Sequence, residues 1–172
     1  MTSVLDPLLR RWPVWALIAS AAMLATAHAF QTFGGLQPCT LCLQQRDVYW
    51  TAMAVSAVAL VFALTPARAR LGPLFVLALA GVFLVGAVIA ARHAGAEWKW
   101  WPGPATCSSS GGGVSAAAIA NMLHGAKIAG PACDQASWRM FGLSMAGWNF
   151  LVSLGLAGLS LMAFAGASRR HD

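Results

Sequence analysis

The sequence predicts an all-α fold, an integral membrane four-helix bundle with one long loop outside the membrane. Three observations lead to this prediction: an apolar composition, several uncharged runs of membrane-spanning length, and basic residues at the ends of those runs. Hydrophobic residues make up 59% of the 172 residues, charged residues make up 9%, and the mean hydropathy is +0.67. Soluble domains carry about 25% charged residues, and a soluble chain of this length cannot bury several such runs.

The net charge of +6 is concentrated at the ends of the apolar runs. The arginines that flank these runs are Arg10, Arg11, Arg68, Arg70, Arg169 and Arg170. Short basic segments of this kind mark the cytoplasmic side of a membrane protein. They do not form the basic patch that binds nucleic acid, so no nucleic-acid partner is expected.

The first span is predicted at about 13–31, where the sequence is apolar apart from small polar residues and one histidine. A signal peptide is the alternative, but the run is too long for a typical h-region and no convincing cleavage site follows it. Gly34, Gly35 and Pro38 then interrupt the helix. A short loop over about 32–42 is therefore expected at a membrane face.

Three further spans are predicted at about 43–64, 71–91 and 145–166. The run at 71–91 has no charge, and at about 1.5 Å per residue it is long enough to cross about 30 Å of hydrocarbon. A long loop over about 92–144 contains an apolar segment at 114–123 that is too short to span the membrane. This segment is expected to be a short interfacial helix. The chain is thus predicted to be a single membrane domain.

Four spans place both termini on one side of the membrane. The basic turn with Arg68 and Arg70 falls on the same side, so we expect the termini to be cytoplasmic. The loops over about 32–42 and 92–144 then face outward, and they carry all four cysteines. Cysteines confined to the outer side indicate an oxidising compartment, and the natural choice is the periplasm, which borders the inner membrane of a bacterium.

Cys39 and Cys42 form a Cys-x-x-Cys pair that opens the second apolar run. At the start of a helix, thiolates lie near unpaired backbone N–H groups and the positive end of the helix dipole, which lowers their pKa and makes them reactive. Arg46 lies four residues after Cys42, shares its helical face, and can stabilise a thiolate or a developing oxyanion. A structural disulfide or half of a metal site is the alternative.

Four cysteines allow three disulfide pairings. The spacing favours Cys39 with Cys42 and Cys107 with Cys133, although either pair could exchange with the other by thiolate attack. A zinc site made of two Cys-x-x-Cys motifs is disfavoured, because the cysteines of the second pair are far apart in the sequence. No bound metal is expected.

Three motifs follow one another along the chain. They are PCTLC at 38–42 with QR at 45–46, RH at 92–93 with WPGPATC at 101–107, and CDQASW at 133–138 with FGLSM at 141–145 and Trp148. Together with four spans and two outward cysteine pairs, these motifs resemble the DsbB family of bacterial disulfide bond formation proteins. The resemblance covers almost the whole chain.

The resemblance implies an enzyme, a quinone-dependent protein-dithiol oxidase. Such an enzyme reoxidises a periplasmic thioredoxin-like oxidase of the DsbA type and passes two electrons to a membrane quinone, either ubiquinone or menaquinone. By the same resemblance, the partner's thiolate attacks Cys107, whose partner in the resting pair is Cys133. Cys39 exchanges with that pair, and Cys42 lies nearest the quinone.

Arg46 and His93 are the expected quinone-binding residues. His93 aligns with a family histidine near the quinone site, where it can hydrogen-bond a quinone carbonyl. A histidine that only interacts favourably with its helix dipole is the alternative. Flavin or NAD is not expected, because the chain has no Gly-x-Gly-x-x-Gly turn and no soluble domain to hold such a cofactor.

Two other classes of protein were weighed against this function. One is a non-enzymatic membrane protein whose structural disulfides only brace its outer loops. Bracing needs no cation beside Cys42, so Arg46 argues against it. The other is the vitamin K epoxide reductase type, which also joins four spans to quinone chemistry but carries its Cys-x-x-Cys motif late in the chain.

Overall fold

The computed structural model describes residues 5–103 and 133–169. Within these residues the chain forms five helices and one short hairpin. The helices are α1 (Leu5–Arg10), α2 (Trp12–Thr32), α3 (Thr40–Phe62), α4 (Arg68–Glu97) and α5 (Met145–Ser168), and the strands are β1 (Arg139–Met140) and β2 (Leu143–Ser144). The predicted all-α membrane fold is confirmed. Cys107 and the predicted interfacial helix at 114–123 lie outside the described residues.

Three helices of the described chain are long and apolar enough to cross a membrane. They are Trp12–Thr32, Arg70–Glu97 and Met145–Ser168, which correspond to the first, third and fourth predicted spans. Helix α3 has 23 residues, but Gln44, Gln45 and Arg46 make its beginning polar. A span in α3 therefore stays a prediction.

Helix α4 extends beyond residue 91, where the third span was predicted to end, and it includes His93 and Glu97. No proline follows residue 91 until Pro102, and the alanines in this segment favour a helix. The helix ends just before Lys99, which has a positive φ of 61°. As a result, His93 lies within the helix and is buried.

A two-residue turn joins β1 to β2 directly before α5. Phe141 and Gly142 have positive φ angles of 52° and 81°, the pattern of the primed turns that match the twist of paired strands. The Ser144 hydroxyl then caps α5 by accepting a hydrogen bond from the backbone N–H of Gly147 at 3.1 Å. Strands of two residues are too short to show a period-two pattern, so the sequence analysis did not predict this hairpin.

Small side chains let the helices approach closely. Helix α4 packs most extensively on α5, and α3 packs between α2 and α4. Fully buried small residues include Ala16, Ser20, Ala52, Ser56, Ala90, Ser153 and Ser160. Small residues allow the close van der Waals packing that drives helix association in lipid. The indole N–H of Trp12 also donates to the Ser160 hydroxyl at 2.8 Å, which joins the start of α2 to α5.

Trp101 folds back on the end of α4. Its indole N–H donates to the Arg92 carbonyl at 2.9 Å. Its ring lies so close to Gly95 that a Cβ added at this glycine would overlap the ring. The contact directs the chain back toward the helix that it has just left.

Gly95→Ala is expected to destabilise the protein by about 1–3 kcal/mol, because the Trp101 ring must be displaced. Gly81→Ala in the same helix is the matched control, since no atom lies within 4 Å of the added Cβ and alanine is favoured over glycine in a helix. The measurement is the midpoint temperature for loss of monodisperse protein in detergent. Equal midpoints for the two variants would contradict the contact.

Candidate active site

The Cys-x-x-Cys pair lies at the beginning of α3. Cys39 is the N-cap residue, and its sulfur accepts a hydrogen bond from the backbone N–H of Cys42 at 3.3 Å. The two sulfurs are 2.8 Å apart, and both cysteines are free thiols. Since a disulfide bond is about 2.05 Å long, a small side-chain movement is enough to bring the two sulfurs to bonding distance.

A disulfide-bonded cysteine packs against this pair. This cysteine is Cys133, which is disulfide-bonded. It is 1% exposed and shares one buried cluster with Cys39, against which Cys42 also packs. Next to it, the Lys99 ammonium donates to the backbone carbonyl of Asp134 at 2.9 Å and pairs with its carboxylate. This ion pair holds the segment with Cys133 against the end of α4.

His93 lies beside the N-terminal sulfur of the pair. Its Nε2 is 3.7 Å from Cys39 Sγ and 3.7 Å from Glu97 Oε1. His93 and Glu97 are 5% and 8% exposed, and within the described chain Oε2 of Glu97 has no hydrogen-bond partner. The sequence analysis did not single out Glu97, because one acidic residue four positions after a histidine forms no recognisable motif.

The surroundings of Cys39 favour its thiolate form. The pKa of Cys39 is lowered from 9.0 to about 4. The hydrogen bond from the Cys42 side chain is the largest cause, burial acts in the opposite direction, and His93 adds to the lowering. The thiolate is the reactive form in disulfide exchange. The stabilised thiolate of the reduced pair is therefore Cys39.

Arg46 is held in place by α2. Its Nη1 donates to Gln31 Oε1 at 2.6 Å, and its Nη2 donates to the Ala27 carbonyl at 3.1 Å. These hydrogen bonds go to α2. The expectation that Arg46 stabilises the Cys42 thiolate or a developing oxyanion stays a prediction. Because a guanidinium has five N–H donors, Arg46 retains donors for another acceptor. The sequence did not identify Gln31 as part of the site, yet it positions Arg46.

A chain of hydrogen bonds runs from His93 into the bundle. Gln45 Nε2 lies 2.8 Å from His93 Nδ1. The Asn149 amide donates to Gln45 Oε1, and the Tyr49 hydroxyl donates to Asn149 Oδ1. Ser153 Oγ lies 3.0 Å from the Tyr49 hydroxyl. The sequence analysis did not identify these residues as part of the site.

A cavity of about 330 Å³ adjoins the cysteine pair. Its polar lining includes Cys42, Gln45, Arg46, His93 and Glu97. Its apolar lining includes Leu24, Phe30, Trp138, Met140, Met145 and Val152. A concave, mainly apolar space with a few convergent polar groups is typical of a small-molecule site. The four predicted site residues inside the described chain that line this cavity are Cys39, Cys42, Arg46 and His93.

The hydrogen bonds of His93 argue against a metal at this site. The ligand atoms of Cys39, Cys42 and His93 lie within 4.8 Å of one another, as a metal would require. However, Gln45 donates to His93 Nδ1, which leaves the proton of a neutral imidazole on the nitrogen that faces the cysteines. A metal-ligating histidine instead donates a hydrogen bond from its other nitrogen.

These features define a class of protein, a helical membrane thiol–disulfide oxidoreductase. The family described as "Disulfide bond formation protein DsbB" matches residues 9–163. The chain belongs to the DsbB family, and the resemblance seen in the sequence is confirmed. A role in protein disulfide formation follows from this membership.

Curated relatives carry the same name. The chain is 35% identical over 160 residues to Disulfide bond formation protein B of Methylococcus capsulatus, covering 87% of this chain and 90% of the relative. It is 31% identical over 166 residues to the protein of that name from Polaromonas sp., covering 91% and 92%. It is 31% identical over 157 residues to Disulfide bond formation protein B 2 of Pseudomonas entomophila, covering 89% of each chain. No solved structure matches the chain significantly.

The thiolate of the reduced pair is expected to persist in mild acid. In a Cys107→Ser/Cys133→Ser variant, the ultraviolet thiolate absorbance should stay constant from about pH 8 to about pH 5 and disappear as the pH falls through about 4. The sign follows because a sulfur remains ionised at every pH above its pKa. His93→Ala should move the transition to higher pH. A transition near the ordinary thiol pKa before that substitution would contradict the assignment.

Proposed function

We propose that this protein is a quinone-dependent dithiol oxidase of the bacterial inner membrane. It reoxidises a periplasmic thioredoxin-like oxidase of the DsbA type and passes two electrons through two cysteine pairs to a membrane quinone. The observation that carries the proposal is the packing of disulfide-bonded Cys133 against the Cys39 and Cys42 thiols, beside an apolar cavity. Family membership supports the general role in disulfide formation.

The proposed orientation places both termini in the cytoplasm and the cysteines in the periplasm. Basic residues at the start of α2, the start of α4 and the end of the chain support it, because such segments stay cytoplasmic. Cys39 and Cys42, here called the inner pair, then lie on the oxidising side of the membrane. A soluble partner can reach Cys107 and Cys133, the outer pair, from that side.

The first proposed exchange takes place at the outer pair. The partner's thiolate attacks Cys107 in a Cys107–Cys133 disulfide, and Cys133 leaves as a thiolate. The partner's second thiolate then attacks the mixed disulfide and releases Cys107. The partner leaves as a disulfide, and the outer pair is left as a dithiol that holds the two electrons.

The second exchange transfers these electrons to the inner pair. The Cys133 thiolate attacks Cys39 in the Cys39–Cys42 disulfide, a Cys133–Cys39 bond forms, and Cys42 leaves as a thiolate. Cys107 then attacks Cys133 and releases Cys39, which restores the outer disulfide. The burial of Cys133 and Cys39 in one cluster supports this route. The low pKa of Cys39, about 4, makes it a good leaving group.

The residues that line the cavity fit a quinone headgroup. Phe30 and Met145 offer apolar walls for a flat ring, and Arg46 offers N–H donors for a carbonyl oxygen. A quinone bound here would supply the two-electron acceptor for the dithiol as the Cys39–Cys42 disulfide forms again, and Cys42 lines the cavity wall. Reduction to quinol would take up two protons. The Cys42 thiol would supply one and the medium the other, because Cys39 is already a thiolate.

Cys42→Ser is expected to abolish quinone-dependent oxidation of a reduced thioredoxin-like partner, because no inner disulfide can form. The assay follows loss of partner thiols with purified protein and a short-chain quinone. Ser56→Ala, a buried serine in the same helix but not among the residues that line the cavity, should retain turnover. Undiminished turnover in Cys42→Ser would refute the proposed mechanism.

Arg46→Ala should raise the KM for quinone about tenfold or more, the usual scale for loss of a charge-assisted hydrogen bond. Capture of the partner at the outer pair should be unaffected, as measured by trapping the mixed disulfide. Gln31→Leu should shift the KM in the same direction but by less, because it only releases the guanidinium. If the quinone dependence of Arg46→Ala is unchanged, Arg46 does not bind the acceptor.

A further inference from the structure

We propose that Gln45, Asn149 and Tyr49 are positioning residues that hold His93 in the tautomer with its proton on Nε2. In this form His93 is a fixed N–H donor to the Cys39 sulfur. The importance of this arrangement for turnover rests on the proposed oxidase function. The tautomer itself follows from hydrogen bonds alone.

A backbone carbonyl determines the orientation of the Gln45 amide. Gln45 Nε2 lies 3.2 Å from the Leu41 carbonyl oxygen, and a carbonyl oxygen can only accept a hydrogen bond. The atom near it is therefore the amide nitrogen. The same nitrogen lies 2.8 Å from His93 Nδ1, and it can only donate. His93 Nδ1 must accept, so the proton of a neutral imidazole is on Nε2.

The next residues along the chain support the same direction. With its nitrogen toward Leu41, Gln45 presents Oε1 to the Asn149 amide, which donates to it. Asn149 Oδ1 accepts from the Tyr49 hydroxyl, and Tyr49 can accept in turn from the Ser153 hydroxyl at 3.0 Å. Each donor meets an acceptor. Reversing the amide of Gln45 alone would place two donors against each other, and reversing that of Asn149 alone would place two acceptors against each other.

On the other side of the ring, Nε2 faces two acceptors of the described chain, as a nitrogen that carries the proton requires. They are Cys39 Sγ and Glu97 Oε1, each at 3.7 Å.

The Nε2–H group of His93 stabilises mainly the reduced form of the Cys39 and Cys42 pair. A thiolate on Cys39 accepts a strong hydrogen bond from His93, whereas a disulfide sulfur is a weak acceptor. The Nε2–H group therefore stabilises the dithiol form relative to the disulfide. Stabilising the reduced form makes a cysteine pair more oxidising. Loss of the hydrogen-bond chain should shift the equilibrium toward the disulfide.

The direct test is ¹⁵N NMR of the histidine side chains in the reduced, full-length protein. The signal of His93 is assigned by its loss in His93→Ala. We expect a protonated Nε2 and an unprotonated Nδ1, and a mixture of tautomers in Asn149→Leu. Ser56→Ala is the matched control, because this buried hydroxyl has no hydrogen-bond partner within the described chain. A proton on Nδ1 of His93 before substitution would overturn the proposal.

A second readout is the dithiol–disulfide equilibrium of Cys39 and Cys42 in a glutathione redox buffer. It is measured in a Cys107→Ser/Cys133→Ser background. Asn149→Leu should shift it toward the disulfide by about tenfold, or about 30 mV. Tyr49→Phe removes only a hydroxyl and should produce a smaller shift in the same direction, which keeps the test decisive if Asn149→Leu does not fold. An unchanged equilibrium in both Tyr49→Phe and a folded Asn149→Leu would overturn the proposal. Neither measurement uses quinone or a partner, so this failure is distinct from failure of the oxidase function.

Discussion

Hydrogen bonds between buried polar side chains determine how the helices meet around the cysteine pair. Gln45, Asn149 and Tyr49 are each less than a tenth exposed, and a buried polar group without a partner costs about 1–3 kcal/mol. All three have partners because α3, α4 and α5 bring them together. The rest of the core combines small residues with large ones such as Leu79 and Phe83. The polar chain therefore selects the arrangement in which His93 reaches Cys39.

The two cysteines of the inner pair have different surroundings. Cys39 is the helix N-cap, is almost fully buried, and contacts both His93 and Cys133. Cys42 lies one turn further along and is only partly buried, although both cysteines line the cavity. This asymmetry suits a pair in which one sulfur exchanges with another disulfide and the other faces an electron acceptor. A disulfide that only braces a loop needs neither a stabilised thiolate nor a cavity beside it.

The sequence predicts what depends on local composition and misses what depends on helix rotation. The apolar runs predicted the helices, and the Cys-x-x-Cys motif predicted a reactive pair at the start of one of them. The sequence cannot show that Gln45 meets Asn149, because the two residues are 104 positions apart and a helical period does not determine which faces meet. For the same reason the sequence cannot show that Arg46 bonds to Gln31. The extension of α4 through Glu97 was missed because charged residues were taken to mark the end of the helix.

The cation and the anions around the cavity have different hydrogen-bond partners. Arg46 bonds near the C-terminal end of α2, where the helix dipole favours a cation. Glu97 and the Cys39 thiolate instead lie beside His93, which belongs to α4. An acceptor that gains negative charge is stabilised near the guanidinium and repelled by the thiolate. Because the Arg46 hydrogen bonds go to α2, the Cys39 thiolate is stabilised by Cys42 and His93 rather than by this cation.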